Sequence, residues 1–172
     1  MEKMTTYIAL LRAVNVGGTG KLPMSELKSM CELLGFENVR TYIASGNVVF
    51  DSSLAEKKVA DALAASLEQY AGKPVGVLVR TGAEMAAVLE ANPFKSAATN
   101  LTFAIFLDAK PPADSIDTVR GRNDEELELG KREIYVTYPG GSGKSKLVIP
   151  AAKAGTARNM NTVAKLVEMA GE

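Results

Sequence analysis

The segment VRTYIASGNVVFDS, residues 39–52, decides the fold class of this chain. Its two halves are rich in β-branched and aromatic residues, which favour strands. They meet at Ser45, Gly46 and Asn47, three residue types that are typical of turns. We therefore predict two consecutive strands that are joined by a tight turn.

The segments on either side of this pair extend the prediction. Residues 6–14 are apolar and β-rich, and apolar residues at helical spacing follow between Met24 and Leu34. Residues 54–71 have the composition of a long helix, and residues 75–81 that of another strand. The resulting order, β-α-β-β-α-β, is that of a ferredoxin-like fold.

The second half of the chain predicts another small α+β unit. A third helix is expected after Gly82, then a strand over residues 101–109 and a short helix over residues 113–122. Residues 126–139 predict a hairpin, and a final helix carries Val163 and Leu166 on one face. We therefore predict an α+β chain with a ferredoxin-like subdomain at 1–82 and a second, smaller α+β subdomain at 83–172.

Composition excludes several classes of function. The chain has 20 basic and 20 acidic residues, so its zero net charge argues against broad nucleic-acid binding. It contains no histidine and a single cysteine, which rules out a zinc site of Cys and His and an internal disulfide. We expect no metal and no cofactor.

The single cysteine and the N-terminal segment favour a particular cellular compartment. Cys31 falls on the apolar face of the first helix, and we predict that it is a core residue. A single cysteine is compatible with a reducing compartment. The apolar run near the N-terminus is too short for a signal peptide, and no run is long enough to cross a membrane. We expect a cytoplasmic protein.

The stretch YPGGSGKSKL, residues 138–147, resembles the end of a phosphate-binding P-loop. The first glycine of that motif would fall at Tyr138, and Pro150 would interrupt the helix that has to follow Lys144. We therefore predict a glycine-rich turn between two extended segments, and not a nucleotide hydrolase.

Two glycine-rich loops nevertheless suggest an anion site. Gly17 and Gly18 begin the sequence GGTGK, which ends at Lys21, and GGSGK ends at Lys144. Residues 3–24 and 134–167 hold basic residues and no acidic ones. Backbone N–H groups and lysines of this kind bind anions. The two loops are predicted to contribute to one pocket, although two similar turns also arise by chance.

Four segments of the chain are similar to one protein family. They are LLRAVNVGGTGKLPMSELKSMCELLGFENVRTYIASGNVVF (10–50), VLVRT (77–81), NPF (92–94) and TARNMNTVAKLVEM (156–169). These segments resemble the DUF1697 family, a group of bacterial proteins of uncharacterised function. The resemblance implies a ferredoxin-like first part and an α+β second part, and it implies no established activity. Met160 replaces a tryptophan that is usual in the family, and either ligand stacking or core packing would explain that tryptophan.

By resemblance, the family shares a set of polar residues that are candidates for ligand binding. Each candidate also has a structural alternative: Asn15, Ser45 and Asn47 would shape turns, and Asn159 or Asn161 would cap the last helix. Arg158 would lie on the surface, whereas Arg12 interrupts an apolar strand and needs a partner or an opening to water. The shared set is Arg12, Asn15, Lys21, Ser45, Asn47, Arg158, Asn159 and Asn161.

Three functions are compatible with these residues. The first is binding of a small anion or nucleotide through the glycine loops, with Arg12, Lys21, Lys144 and Arg158 as the basic groups. The second is a protein-interaction module without a small ligand, in which Tyr7, Tyr42 and Phe50 belong to a contact face or to the core. The third is hydrolysis of a phosphate or acyl phosphate, by analogy with other ferredoxin-like proteins.

Overall fold

The computed structural model describes residues 3–12 and 21–171. It is an α+β protein with two four-stranded antiparallel sheets and four α-helices among the described residues. The chain divides into two compact units. The first unit comprises Met1–Met85 and Leu166–Glu172, and the second comprises Ala86–Lys165. The boundary between the subdomains 1–82 and 83–172 stays a prediction.

The first sheet has the strand order β2-β3-β1-β4. Tyr7 pairs with Phe50 of β3 and with Thr81 of β4, so β1 lies in the middle of the sheet. The elements of this part are β1 (Thr5–Leu11), α1 (Met24–Leu33), β2 (Glu37–Tyr42), β3 (Asn47–Ser52), α2 (Glu56–Ala71) and β4 (Val77–Thr81).

Helices α1 and α2 cover one face of the first sheet. Cys31 of α1 and Leu63 of α2 are fully buried in one cluster with Phe50 and Val79 of the sheet. The prediction that Cys31 is a core residue is confirmed, and burial raises the pKa of its thiol to about 12. Because the thiolate is the reactive form, this cysteine is not a nucleophile at neutral pH.

The other face of the first sheet is also buried. Ile8, Val49 and Arg80 are paired across neighbouring strands on this face, and all three are buried. The last turn of the C-terminal helix contacts this part of the first unit, because Arg40 of β2 donates from Nη1 to the carbonyl of Met169. A cation at a helix C-terminus is favourable because the helix dipole is negative there.

The second sheet repeats the strand order of the first, as β6-β7-β5-β8. Ile105 pairs with Ile134 of β7 and with Ala157 of β8, so β5 holds the position that β1 holds in the first sheet. The remaining elements are α3 (Gly82–Glu90), β5 (Thr102–Phe106), β6 (Glu126–Leu129), β7 (Glu133–Thr137), β8 (Thr156–Asn159) and α4 (Met160–Ala170).

Irregular chain covers one face of the second sheet. Ile105 and Val136 form a buried cluster, and Ile116 and Leu147 from non-helical segments pack against it. The short helix predicted over residues 113–122 is therefore wrong, since this segment forms turns. Its polar run from Arg120 to Asp124 offers no apolar stripe to a core.

Two strand predictions also differ from the structure. Residues 156–159 form β8, which the sequence did not predict because none of its four residues has a large apolar side chain. Strand β1 ends at Leu11, so Arg12 follows the strand and does not interrupt it. The hairpin predicted over residues 126–139 is confirmed by the pairing of β6 with β7.

Candidate ligand-binding cleft

A polar cleft lies at the open end of the β6–β7 hairpin in the second unit. Glu126 at the start of β6 pairs with Thr137 at the end of β7, so the segments just outside the hairpin are neighbours. Beyond them, Arg120 and Val148 exchange backbone hydrogen bonds of 2.9 and 2.7 Å. Strand pairing at one end and these backbone hydrogen bonds at the other therefore hold the segments 121–125 and 138–147 beside each other.

The cleft between these segments has a volume of about 350 Å³. Its lining residues are glycines and polar residues, which include both acidic and basic side chains. The lining residues are Gly121, Asn123, Asp124, Glu125, Gly140, Gly141, Lys144, Ser145 and Lys146.

The glycine-rich turn forms one wall of this cleft. Gly141 has a φ of 91°, a left-handed conformation that favours glycine, and its N–H donates to the carbonyl of Tyr138. A single 3₁₀ turn over Ser142–Lys144 follows, and Ser145 is extended. No helix starts at Lys144, so the geometry of a P-loop is absent here and the predicted turn between extended segments is confirmed.

A buried carboxylate joins the two walls. Glu125 is 4% exposed, and its Oε2 accepts a hydrogen bond from the Ser145 hydroxyl while its Oε1 accepts one from the N–H of Asn123. These two bonds, the serine bond first, lower the pKa of Glu125 below its ordinary value. Glu125 therefore stays ionised and positions Ser145 instead of acting as a base at neutral pH.

Replacing Ser145 with alanine is expected to raise the pKa of Glu125 toward the ordinary glutamate value of roughly 4.3. In the native protein, the lowered pKa of Glu125 stabilises the fold at a pH above the ordinary, unfolded-state pKa. This contribution is lost as the pH falls through the pKa of the folded state. Ser145→Ala should therefore destabilise the protein at pH 7 and have a diminishing effect as the pH falls below about 4.

Carbon-detected NMR titration of the Glu125 carboxyl group measures the pKa, and urea unfolding at several pH values measures the stability. Ser142→Ala removes an exposed hydroxyl from the same turn and is the matched control. An unchanged pKa of Glu125 in Ser145→Ala would contradict the role assigned to the serine bond.

The candidate residues of the first unit lie at one end of its sheet. The N–H of Arg12 donates to the carbonyl of Gly76 at 2.9 Å, and the N–H of Leu11 donates to the carbonyl of Gly46 at 2.8 Å. Arg12 is exposed, and Ser45 beside Gly46 is exposed as well. Arg12, Ser45 and Asn47 thus belong to one end of the first sheet.

Asn47 and Ser45 build the turn between β2 and β3. Asn47 is fully buried, and its side-chain Nδ2 donates to the carbonyl of Tyr42 at 2.9 Å and to the Ser45 hydroxyl at 3.0 Å. The turn holds Ile43 at a φ of 48°, which is a strained conformation for a β-branched residue. These contacts favour the structural alternative, in which Asn47 shapes the strand junction.

Lys21 is exposed just before α1. Asn15, Gly17 and Gly18, the rest of the candidate set from the first loop, lie outside the described residues. Of the three residues proposed for a contact face or the core, Tyr7 and Phe50 lie in the core, since Tyr7 is 4% exposed and Phe50 is fully buried.

Arg158 lies in β8 and is buried, so the structural alternative that placed it on the surface is wrong. Its Nη1 donates to the Thr156 hydroxyl at 2.9 Å and to the carbonyl of Ala157 at 3.0 Å. Burial lowers the pKa of Arg158 to about 10, which leaves the guanidinium charged at neutral pH. Arg80 of β4 makes the same kind of bond, to the carbonyl of Val79 at 3.0 Å. Two buried arginines at matching places in two sheets favour a structural role.

Asn159 caps helix α4, because its Oδ1 accepts a hydrogen bond from the N–H of Thr162 at 2.9 Å. This confirms the structural alternative for Asn159, and Asn161 is exposed on the helix. Met160 is 1% exposed, as expected for a core residue that fills the space of a larger side chain. Arg158 and Asn159 do not contribute to the lining of the cleft at the β6–β7 hairpin.

Sequence reasoning found Lys144 and missed the acidic wall of the cleft. Asp124 and Glu125 belong to an acid-rich segment that had no recognisable motif. The hairpin itself was the available signal, because residues that flank a hairpin at its open end have to be neighbours.

In the described parts of the chain, no helix is long and apolar enough to cross a membrane. No group of three or more acidic or cysteine side chains there is arranged to hold a metal.

These features define an α+β protein of two units with a small polar cleft of mixed charge. The model of the DUF1697 family, described as a protein of unknown function, matches residues 4–135, and the chain belongs to this family. A solved structure, the conserved bacterial protein SP0830 from Streptococcus pneumoniae, has a TM-score of 0.81 and 26% identity, covering 98% of this chain and 99% of that chain. No curated protein shows a significant match.

Proposed function

We propose that this protein binds a phosphate-bearing or other anionic ligand through its glycine-rich basic turns. One observation carries the proposal: the turn from Gly140 to Lys144 is a wall of a cleft of about 350 Å³. Small-molecule sites have volumes of roughly 300–1,000 Å³, so the cleft has room for a small ligand.

The chemistry of this wall suits an anion. Lys144 and Lys146 are both exposed and both line the cleft, and lysine ammonium groups are mobile point charges that bind phosphate. Gly141 has no side chain, and no atom lies within 4 Å of the place a Cβ atom would take, so a ligand can approach the backbone closely there. The bonds of Glu125 hold the turn in place before any ligand arrives, which reduces the entropy that binding costs.

The first glycine loop is included in the proposal. Arg12, Asn15, Gly17, Gly18 and Lys21 would supply the basic groups and N–H donors there, and the exposed position of Arg12 at the end of β1 supports this. That the two loops share one pocket stays a prediction. The strand order β2-β3-β1-β4, all antiparallel, supports a ferredoxin-like first unit.

Titration calorimetry with inorganic phosphate, ribose 5-phosphate and adenosine monophosphate tests the proposal. At least one of these compounds is expected to bind, and Lys144→Gln and Lys146→Gln should each weaken its Kd by about tenfold, the effect of losing one charge-assisted hydrogen bond. A similar loss in Arg12→Gln would place the first loop in the same pocket.

The control is Lys57→Gln, which removes an exposed lysine from α2 that pairs only with exposed Asp61 at 3.2 Å. This variant should bind like the native protein. Absence of binding for all three compounds, or native binding in the double variant of Lys144 and Lys146, would refute the proposal.

A further inference from the structure

We propose that the ligand of the β6–β7 cleft is two-ended: a phosphate monoester that also carries neighbouring hydroxyl groups. Lys144 and Lys146 would bind the phosphate, and Asp124 would accept hydrogen bonds from the hydroxyls. This inference rests on the proposed function, and it names the class of ligand.

The two walls of the cleft carry opposite charge. Lys144 and Lys146 belong to the wall that contains the glycine turn, whereas Asp124 belongs to the segment that precedes β6. The carboxylate of Asp124 reaches across to the glycine turn, because a Cβ atom on Gly140 would lie 3.3 Å from its Oδ2. Asp124, Lys144 and Lys146 therefore line the same small volume.

The described part of the chain offers these three charged side chains no partner. Among the described residues, Asp124, Lys144 and Lys146 form no ion pair or side-chain hydrogen bond with one another or with other side chains. Opposite charges that share a cleft without pairing are available to a ligand. Glu125 differs, since both of its oxygens accept bonds from Ser145 and Asn123.

The charge pattern selects among ligands. A bare anion would be attracted by the lysines and repelled by the carboxylates of Asp124 and Glu125, whereas a bare cation would be attracted by the carboxylates and repelled by the lysines. A carboxylate is an acceptor with two oxygens, and it commonly binds the hydroxyls of a ribose. A ligand with an anionic end and a hydroxyl end satisfies both walls at once.

Calorimetric titration of the full chain with ribose 5-phosphate and with inorganic phosphate tests this inference. Ribose 5-phosphate is expected to bind at least about tenfold more tightly, because it adds charge-assisted hydrogen bonds to Asp124. Asp124→Ala should reduce that preference to less than about threefold, whereas Lys144→Gln should weaken both compounds. Asp117→Ala removes an exposed carboxylate of the same unit outside the cleft and should retain the preference.

The outcomes separate the two proposals. Equal, lysine-dependent binding of the two compounds would overturn the two-ended ligand and leave anion binding intact. Adenosine monophosphate also carries a phosphate and neighbouring ribose hydroxyls, so its binding in place of ribose 5-phosphate would support the inference only if Asp124→Ala weakened it. No binding of any of the three compounds would overturn both proposals. Tighter binding of O-phosphoethanolamine than of ribose 5-phosphate would replace the hydroxyl end with an ammonium end and refute this inference.

Discussion

Replacing Phe50 with alanine is expected to destabilise the protein by about 4 kcal/mol, the usual cost of truncating a fully buried phenylalanine. Phe50 has no exposed surface, and its ring stacks on Phe36 with the centroids 4.3 Å apart and the planes at 5°. The ring of Tyr7, which pairs with Phe50 on the neighbouring strand, has its centroid 6.1 Å away. The variant would leave a cavity between the first sheet and helices α1 and α2, because close-packed neighbours collapse only in part.

Urea unfolding followed by circular dichroism measures this effect, since the chain has no tryptophan for fluorescence. Tyr70→Ala is the matched control, because Tyr70 is an aromatic residue of α2 that is 48% exposed. We expect the control to change the free energy of unfolding by less than about 0.5 kcal/mol. A cost for Phe50→Ala as small as that of the control would show that the core is not built around this ring.

Replacing Gly121 with alanine is expected to destabilise the second unit by about 3 kcal/mol and to abolish ligand binding in the cleft. Gly121 has a φ of 70°, and a Cβ atom there would lie 2.1 Å from the carbonyl oxygen of Lys146. The backbone at Lys146, in the opposite wall of the cleft, would have to move away from residue 121. This movement would also disturb the neighbouring backbone hydrogen bonds between Arg120 and Val148.

Gly143→Ala provides the control within the same cleft region. Gly143 has no atom within 4 Å of an added Cβ, and its φ is not in the left-handed range. Thermal unfolding should therefore separate the two variants clearly, with native behaviour for Gly143→Ala. If Gly121→Ala retained both the stability and the ligand affinity of the native protein, the close contact with Lys146 would not matter to the cleft.

The elements of the first sheet were predictable because each one has a strong local pattern. Residues 39–52 combine two β-rich runs with turn residues, and the buried face of α1 is visible in the spacing of Leu27 and Cys31. Strand β8 was not predictable, since Arg158 is a charged residue at a buried position. Its strand conformation depends on pairing with β5, which is distant in sequence.

The candidate site was predictable in part. The sequence GGSGK marks a basic glycine turn by itself, and Pro150 excludes the helix of a P-loop. The acidic partner of this turn was not apparent, because Asp124 is one of several acidic residues in its segment. Only the closure of the β6–β7 hairpin brings Asp124 beside Gly140.

By itself, the sequence determined the α+β class, the order of strands and helices in the first unit, and the family. Periodicity, turn residues and composition act over short distances along the chain, so these properties can be recognised locally. The tertiary structure decided which charges share a cleft and which candidate residues are structural. Asn47, Arg158 and Asn159 are held by hydrogen bonds inside the fold, whereas Lys144 and Asp124 face the same volume. Burial and pairing depend on strands that meet across long stretches of chain, and no local pattern records them.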